Sequence, residues 1–96
     1  MAYVVAATWR AREGEEEEIA RILEAVVPLA RGEPACRLFQ AHRSADDPRE
    51  FFLYEQYDDE AGFQAHLATE AFQTHVLDDA VPRLEHRARV FYITMD

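Results

Sequence analysis

The sequence contains no lysine and no asparagine, and its ten arginines are outnumbered by 19 acidic residues. Without a lysine, the chain cannot form the Schiff base on which pyridoxal phosphate enzymes depend. The net charge of −9 at pH 7 repels phosphate backbones and anionic lipid headgroups. We therefore expect neither nucleic acid nor a membrane surface among the partners of this protein.

Cysteine, glycine and long apolar segments are also scarce. The single cysteine, Cys36, has no partner for an internal disulfide or for a CxxC site. The glycines Gly14, Gly32 and Gly62 stand apart, whereas dinucleotide-binding and phosphate-binding loops need clustered glycines. No apolar run reaches the roughly 18 residues of a membrane span. Because the first residues also lack the order of a secretory signal, we expect a cytoplasmic protein.

The length and composition indicate one folded domain, residues 1–96. A chain of 96 residues buries enough surface for a single hydrophobic core but not for two. Hydrophobic residues make up 49% and charged residues 30% of the chain, which is typical of a globular protein and not of a disordered one.

Hydrophobic periodicity predicts four strands and two helical regions. The first helix opens with the acidic run at 15–18 and ends at Gly32. The second helical region starts after Asp59 and is divided at Thr69, a second N-cap. The strands are predicted over residues 3–10, 35–44, 50–57 and 87–95. The order β-α-β-β-α-β is that of the ferredoxin-like α+β fold, an antiparallel sheet with helices on one face.

Both faces of the predicted sheet carry apolar side chains. In the third strand, Phe51, Leu53 and Tyr57 share one face, and Phe52 and Tyr54 share the other. A sheet with one solvated face would alternate apolar with polar residues. We therefore expect a partner to cover the helix-free face, most simply a second copy of the chain in a homodimer.

Glu55 is the most unusual polar residue, because it shares the face of Leu53 and Tyr57. A carboxylate among apolar side chains needs a hydrogen bond or a charged partner, and otherwise its pKa rises. Two interpretations of Glu55 stay open. In the first it is functional, as a general acid or base or as the orienter of a histidine. In the second it is a structural partner for an arginine or a backbone amide.

The histidines offer candidate bases and no metal site. His66 lies at the edge of the apolar stripe of its predicted helix, either as a core histidine or as a base, since imidazole accepts protons near neutral pH. His42 shares its strand face with Leu38 and Gln40, and lies either in a pocket or in the dimer interface. No two histidines are spaced i, i+4, so we expect no metal. The aromatic residues that form a core or wall a cavity for a planar ring are Trp9, Phe39, Phe52, Tyr54, Tyr57, Phe72 and Tyr92.

Three short segments resemble the motif of the antibiotic biosynthesis monooxygenase (ABM) family. They are residues 54–57 (Tyr-Glu-Gln-Tyr), 58–60 (Asp-Asp-Glu) and 65–69 (Ala-His-Leu-Ala-Thr). The family has a strand ending in Glu-x-aromatic, an acidic helix start and a helix with a histidine before a threonine. The match covers residues 52–72 in detail and the whole chain in element order. It implies a single ABM-type domain that pairs into a dimeric α/β barrel.

The resemblance also implies an activity: a monooxygenase that needs no cofactor and acts on a quinol-like or polycyclic phenolic small molecule with molecular oxygen. Position and resemblance together assign His66 as the base and Glu55 as its orienter. The expected substrate-binding residues are Tyr54, Tyr57, Phe72, His42 and Trp9.

The chain departs from the family motif at one position, because Ala71 stands where many members have a second histidine. Two alternatives to the monooxygenase stay open. The first is an isomerase or another proton-transfer enzyme on the same scaffold, in which Arg37, Arg43 and Arg49 around the hairpin are candidates for binding a phosphate. The second is a non-enzymatic small-molecule-binding dimer, which a pocket filled by Trp9 and Phe72 would favour.

Overall fold

The computed structural model describes all 96 residues and has the predicted order of elements. The elements are β1 (Tyr3–Ala11), α1 (Glu16–Arg31), β2 (Cys36–Arg43), β3 (Glu50–Tyr57), α2 (Glu60–Leu67), α3 (Phe72–Ala80, a π-helix) and β4 (Leu84–Ile93). A 3₁₀ turn, Val81–Arg83, joins α3 to β4. None of the helices combines the length and the apolar character that crossing a bilayer requires.

The four strands form one antiparallel sheet in the order β2-β3-β1-β4. Strand β1 lies in the centre, with Val5 opposite Glu55 of β3 on one side and opposite Phe91 of β4 on the other. Along the chain, helix α1 connects β1 to β2, a hairpin joins β2 to β3, and helices α2 and α3 connect β3 to β4. This topology confirms the ferredoxin-like α+β fold.

The hydrophobic core lies between the sheet and the helices. Alternate residues of each central strand point into it, because successive side chains of a strand face opposite sides. Helix α1 buries the stripe that its sequence period predicts, and α3 buries residues spaced four apart. These helical core residues are Ile19, Ile22, Leu23, Val26, Ala30, Phe72, Val76 and Ala80.

Strand β4 begins at Leu84, three residues before the predicted start at Arg87. Leu84 is buried opposite Ala11, and the register between β1 and β4 shifts between Arg10 and Ala11. Such a bulge redirects the strand so that Leu84 reaches the core. No local pattern predicts this extension, because the polar pair at 85–86 interrupts the apolar alternation.

The helix-free face of the sheet exposes a group of large apolar side chains. Phe52 is 37% exposed, Val90 51% and Tyr92 55%. The register places Tyr54, Ala6 and Val90 in one row across β3, β1 and β4, so these residues form a continuous surface. The predicted apolar character of this face is confirmed.

Gly62 sets how closely α2 packs against the sheet. A Cβ atom at this position would lie 2.8 Å from the Cβ of Ala35 and 3.4 Å from the Cβ of Tyr57. Because both of these atoms are fixed to the backbone, a larger residue would push α2 away. The position of His66, one turn further along α2, therefore depends on this glycine.

We expect Gly62→Ala to lower the free energy of unfolding by about 1–3 kcal/mol, as overpacking does. The loss should appear although alanine is about 1 kcal/mol better than glycine in a helix interior. Gly32→Ala is the control, because a Cβ there meets only backbone oxygens, at 3.5 and 3.7 Å. Denaturant unfolding measures both variants, and a Gly62→Ala protein as stable as the wild type would contradict the close contact.

Candidate active site

Two buried polar side chains, Glu55 and His66, face the same cavity between the sheet and the helices. Each is only 5% exposed. Glu55 points inward from β3, and His66 lies in the last turn of α2. The connection between these two elements is only two residues long, so α2 folds back over its own strand and brings position 66 near position 55.

Two side-chain caps fix the helix that carries His66. The Asp59 carboxylate accepts a hydrogen bond from the Gly62 amide at 2.8 Å and starts α2. The Thr69 hydroxyl donates to the His66 carbonyl at 2.8 Å and accepts from the Phe72 amide at 3.1 Å. Both predicted N-caps are confirmed, and Thr69 also ties the end of α2 to the beginning of the next helix.

His66 is held by a carboxylate that the sequence analysis did not identify. Its Nδ1 atom lies 3.0 Å from both carboxylate oxygens of Glu33. Because a carboxylate only accepts hydrogen bonds, this contact places the proton on Nδ1 and leaves the lone pair on Nε2, which has no partner in the chain. The rings of Phe39, Tyr57 and Phe72 pack around the imidazole, with centroids 5.2–5.7 Å away.

Glu55 and His66 line one cavity as expected, but Glu55 makes no hydrogen bond to the imidazole, and the orienting contact predicted for Glu55 is made by Glu33. Glu33 lies in the loop before β2, 33 residues from His66 along the chain. The topology contains a signal for it: in an antiparallel β2–β3 hairpin, the start of β2 lies beside the end of β3 and the start of α2. The Asp58 amide donates to the Ala35 carbonyl at 2.9 Å across this junction.

Glu55 has its own partner, the Tyr57 hydroxyl, which donates to Oε1 at 2.6 Å. Burial raises the pKa of the Glu55 carboxyl, and the bond from Tyr57 and the nearby charges of His66 and Arg89 oppose this effect. Burial and the neighbouring Glu55 also raise the pKa of Tyr57, so its hydroxyl remains a donor. The two polar groups of the cavity thus have separate partners.

The cavity itself is narrow and mostly apolar. Its volume is about 20 Å³, room for about one water molecule. Four aromatic residues (Trp9, Phe39, Phe63 and Phe72) and five aliphatic residues form its apolar walls. Its polar lining consists of Glu55, His66, Arg87 and Arg89. The two arginines were not among the predicted site residues.

The predicted substrate-binding residues divide between the two faces of the sheet. Trp9 and Phe72 line the cavity, and Tyr57 is buried beside it. Tyr54 and His42 lie on the helix-free face, because they alternate with the inward-facing residues of their strands. There the His42 ring packs on Phe52 at 5.5 Å between centroids. The expectation that these two residues line this cavity is wrong.

The arginines around the hairpin do not form a phosphate site. Arg37 pairs with Asp58 at 2.7 Å, Arg43 pairs with Glu17 at 2.8 Å, and Arg49 pairs with Glu85. No group of three or more histidine, cysteine or acidic side chains converges on a common point in the chain.

Glu55→Gln tests the effect of burying this carboxyl. Because the pKa of Glu55 is raised above its ordinary value of 4.5, the folded protein keeps this proton to a higher pH than the unfolded chain. The stability that the neutral carboxyl contributes is therefore present at low pH and is lost as the pH rises above 4.5 through the folded pKa. Glutamine still accepts the Tyr57 hydrogen bond but cannot ionise, so the variant escapes this loss.

We expect the free energy of unfolding of Glu55→Gln to increase relative to that of the wild type between about pH 4 and about pH 7. Urea unfolding at several pH values measures the difference. Glu70→Gln, which removes the same charge from an exposed position, is the control. A constant difference between Glu55→Gln and wild type across this range would contradict the raised pKa.

Comparisons with known proteins agree with the fold and the motif. The family model described as antibiotic biosynthesis monooxygenase matches residues 2–76. A search of curated proteins with the sequence finds no significant match.

Solved structures with the same architecture cover nearly the whole chain. PA3566 from Pseudomonas aeruginosa is 25% identical, with a TM-score of 0.91 over 99% of this chain and 95% of that one. SO0527 from Shewanella oneidensis is 28% identical, with a TM-score of 0.87 over 95% and 88%. A Nitrosomonas europaea protein whose name refers to antibiotic biosynthesis monooxygenases is 25% identical, with a TM-score of 0.93 over 98% and 90%. The chain belongs to the antibiotic biosynthesis monooxygenase family.

Proposed function

We propose that this protein is a cofactor-independent monooxygenase that oxidises a quinol-like or polycyclic phenolic substrate with molecular oxygen. The observation that carries the proposal is the state of His66. The ring is buried, a carboxylate holds Nδ1, and Nε2 is free at an apolar cavity. This arrangement is that of a base prepared to accept a proton from a phenolic hydroxyl.

The chemistry needs little more than such a base. Removal of a quinol proton by Nε2 gives an electron-rich anion, which can itself reduce oxygen. One oxygen atom enters a ring C–H bond as a hydroxyl, the quinol becomes a quinone, and the second oxygen atom leaves as water with the two hydrogens of the quinol. The substrate thus supplies all the electrons, and the protein supplies a base, orientation and exclusion of water.

Glu33 and Glu55 have different roles in this proposal. Glu33 holds the ring in one tautomer and stabilises the imidazolium that forms when Nε2 takes the proton. Glu55 lines the same cavity, and burial raises the pKa of its carboxyl, so it is a second group able to exchange a proton with the substrate.

The narrowness of the cavity favours a second candidate, a non-enzymatic ligand-binding dimer. A volume of about 20 Å³ does not admit a bicyclic ring unless side chains such as Trp9 and Phe72 move. Oxygen consumption separates the two candidates, because both would bind an aromatic ligand and only one would turn it over.

We expect the wild type to consume oxygen with 1,4-naphthoquinol faster than the quinol oxidises alone, and to transfer label from ¹⁸O₂ into the product. His66→Ala should lower turnover by ~10²–10⁴-fold, the contribution of a general base. Glu33→Gln should lower turnover by a smaller factor, about 10-fold or more, because the imidazole is then no longer held with its proton on Nδ1.

His75→Ala is the matched control, because His75 lies on α3 and does not line the cavity. Its turnover should equal that of the wild type. Oxygen uptake by the wild type no faster than the uncatalysed rate would overturn the monooxygenase proposal for quinols and leave the binding protein.

We also propose that the protein is a homodimer in which two helix-free faces pack together. The exposed side chains of Phe52, Val90 and Tyr92 support this proposal, because contiguous apolar patches mark interaction surfaces. Packing of two such sheets produces the dimeric α/β barrel that the family resemblance implies. His42, which packs on Phe52, then lies in the interface.

Sedimentation should give twice the 11.1 kDa mass of one chain at micromolar concentration. Phe52→Asp should shift the equilibrium toward monomer, because a charge would be buried in an interface of more than about 1,000 Å². Leu29→Asp is the control, since Leu29 is an exposed apolar residue on α1. A wild type that sediments as a monomer would contradict the proposed dimer.

A further inference from the structure

Arg87 and Arg89 are the only arginines of the chain whose side chains make no hydrogen bond and no ion pair. Arg12 and Arg31 donate to the carbonyls of Pro82 and Phe39. The six arginines that pair with carboxylates are Arg10, Arg21, Arg37, Arg43, Arg49 and Arg83. In a chain with 19 acidic residues, two arginine side chains with neither a counterion nor a hydrogen-bond acceptor are exceptional.

The two unpaired arginines lie next to each other and face the cavity. In the sheet, Arg87 is opposite Trp9 and Arg89 is opposite Ala7. Residues two apart on a strand share a face and lie about 7 Å apart, so the two positive side chains are neighbours. Burial and the charge of Arg89 both lower the pKa of Arg87. An anion bound between the two guanidinium groups would relieve this repulsion.

The pair stands where the cavity meets the solvent. Both arginines line the cavity that contains His66, and both line an open groove of about 410 Å³ at the edge of β4. The Arg89 guanidinium lies over the rings of Phe63 and Phe91, at 5.5 and 5.9 Å from their centroids. These contacts hold the group in place and leave its N–H donors free for a ligand.

We propose that Arg87 and Arg89 form an anion-binding subsite at the mouth of the cavity, and that the substrate is an aromatic hydroxy acid. This inference rests on the proposed function, since it places the phenolic hydroxyl at His66. The planar guanidinium fork matches a carboxylate through two parallel hydrogen bonds. The ring of the substrate then lies against Trp9 and Phe72, with its carboxylate toward the groove.

A carboxylate of the substrate accounts for this position better than the phenolate formed during the reaction. The phenolate oxygen must lie beside His66, which is buried, whereas Arg89 is exposed and borders the groove. A permanent charge at the far edge of the ring reaches the arginines while the hydroxyl remains at the base. The same guanidinium chemistry would also fit a carboxylate from a second copy of the chain, which the experiment below distinguishes.

Calorimetric titration with 6-hydroxy-2-naphthoate and 2-naphthol tests the proposal, because the first ligand carries its carboxylate at the edge of the ring system opposite the hydroxyl. The titration is done at about pH 7, where the carboxylate is ionised and a phenolic hydroxyl is not. The two ligands share the ring and the hydroxyl and differ in the carboxylate. We expect the wild type to bind the naphthoate at least about 10-fold more tightly, as charge-assisted hydrogen bonds are strong. Quenching of the emission of Trp9, the only tryptophan, reports that the ligand has reached the cavity.

Arg87→Gln and Arg89→Gln should each remove most of this preference and leave the affinity for 2-naphthol unchanged. Arg12→Gln is the control, because it removes the same charge from an exposed arginine that does not line the cavity. Thermal unfolding of each variant shows that it is folded, and Arg89→Lys offers a milder substitution if Arg89→Gln is not.

Three results would overturn the subsite. The first is equal affinity of the wild type for both ligands, and the second is an equal loss of affinity for both ligands in the arginine variants. The third is a variant with both arginines substituted that sediments as a monomer while the wild type is a dimer. The last result would assign the arginines to a carboxylate of the partner copy. A preference for the naphthoate without oxygen uptake from naphthoquinol would leave the subsite standing and remove the monooxygenase. Oxygen uptake without the preference would do the reverse.

Discussion

The site depends on the close contact between α2 and the end of the sheet where β2 begins and β3 ends. Gly62 packs there against Ala35 without a side chain between them, and the Asp58 amide bonds to the Ala35 carbonyl. Glu33 precedes Ala35 by two residues, and His66 follows Gly62 by one helical turn on the same side of α2. A single backbone contact therefore brings a carboxylate and an imidazole from distant parts of the sequence within hydrogen-bond distance.

The fold and part of the site follow from local patterns in the sequence. The alternation of β3 predicts that Glu55 points inward, and the caps at Asp59 and Thr69 predict where the helices begin. The partner of His66 does not follow from any local pattern, because it depends on the register between β2 and β3. That register shifts between Cys36 and Leu38, so even a correct pairing of the strands would leave the loop position open.

Two errors and one omission have related causes. The family motif predicts a substrate-binding role for Tyr54, but a motif gives proximity in sequence without the face of the strand. His42 lies outside the motif, and the face that it shares with Leu38 and Gln40 is compatible with a pocket or with the dimer interface. The alternation rule, applied to the same residues, places them on the other face. Arg87 and Arg89 were missed because an arginine on a strand is usually a solvated charge. Their special character becomes visible only when the partners of the other eight arginines are known.

The charge distribution of the chain gives this pair of arginines its meaning. A net charge of −9 makes most of the surface repel an anionic ligand, and six of the ten arginines are neutralised by carboxylates. Of the other four, Arg12 and Arg31 bond to backbone carbonyls, and the two with no partner, Arg87 and Arg89, lie side by side at the mouth of the cavity, so attraction of an anion is strongest there. Behind the mouth, the walls are apolar and hold space for about one water molecule, so a bound ring displaces side chains more than water. Closure of those side chains over the ring would keep water from His66 and Glu55. The low dielectric constant that raises the pKa of Glu55 would then also strengthen the attraction between the arginines and the anion.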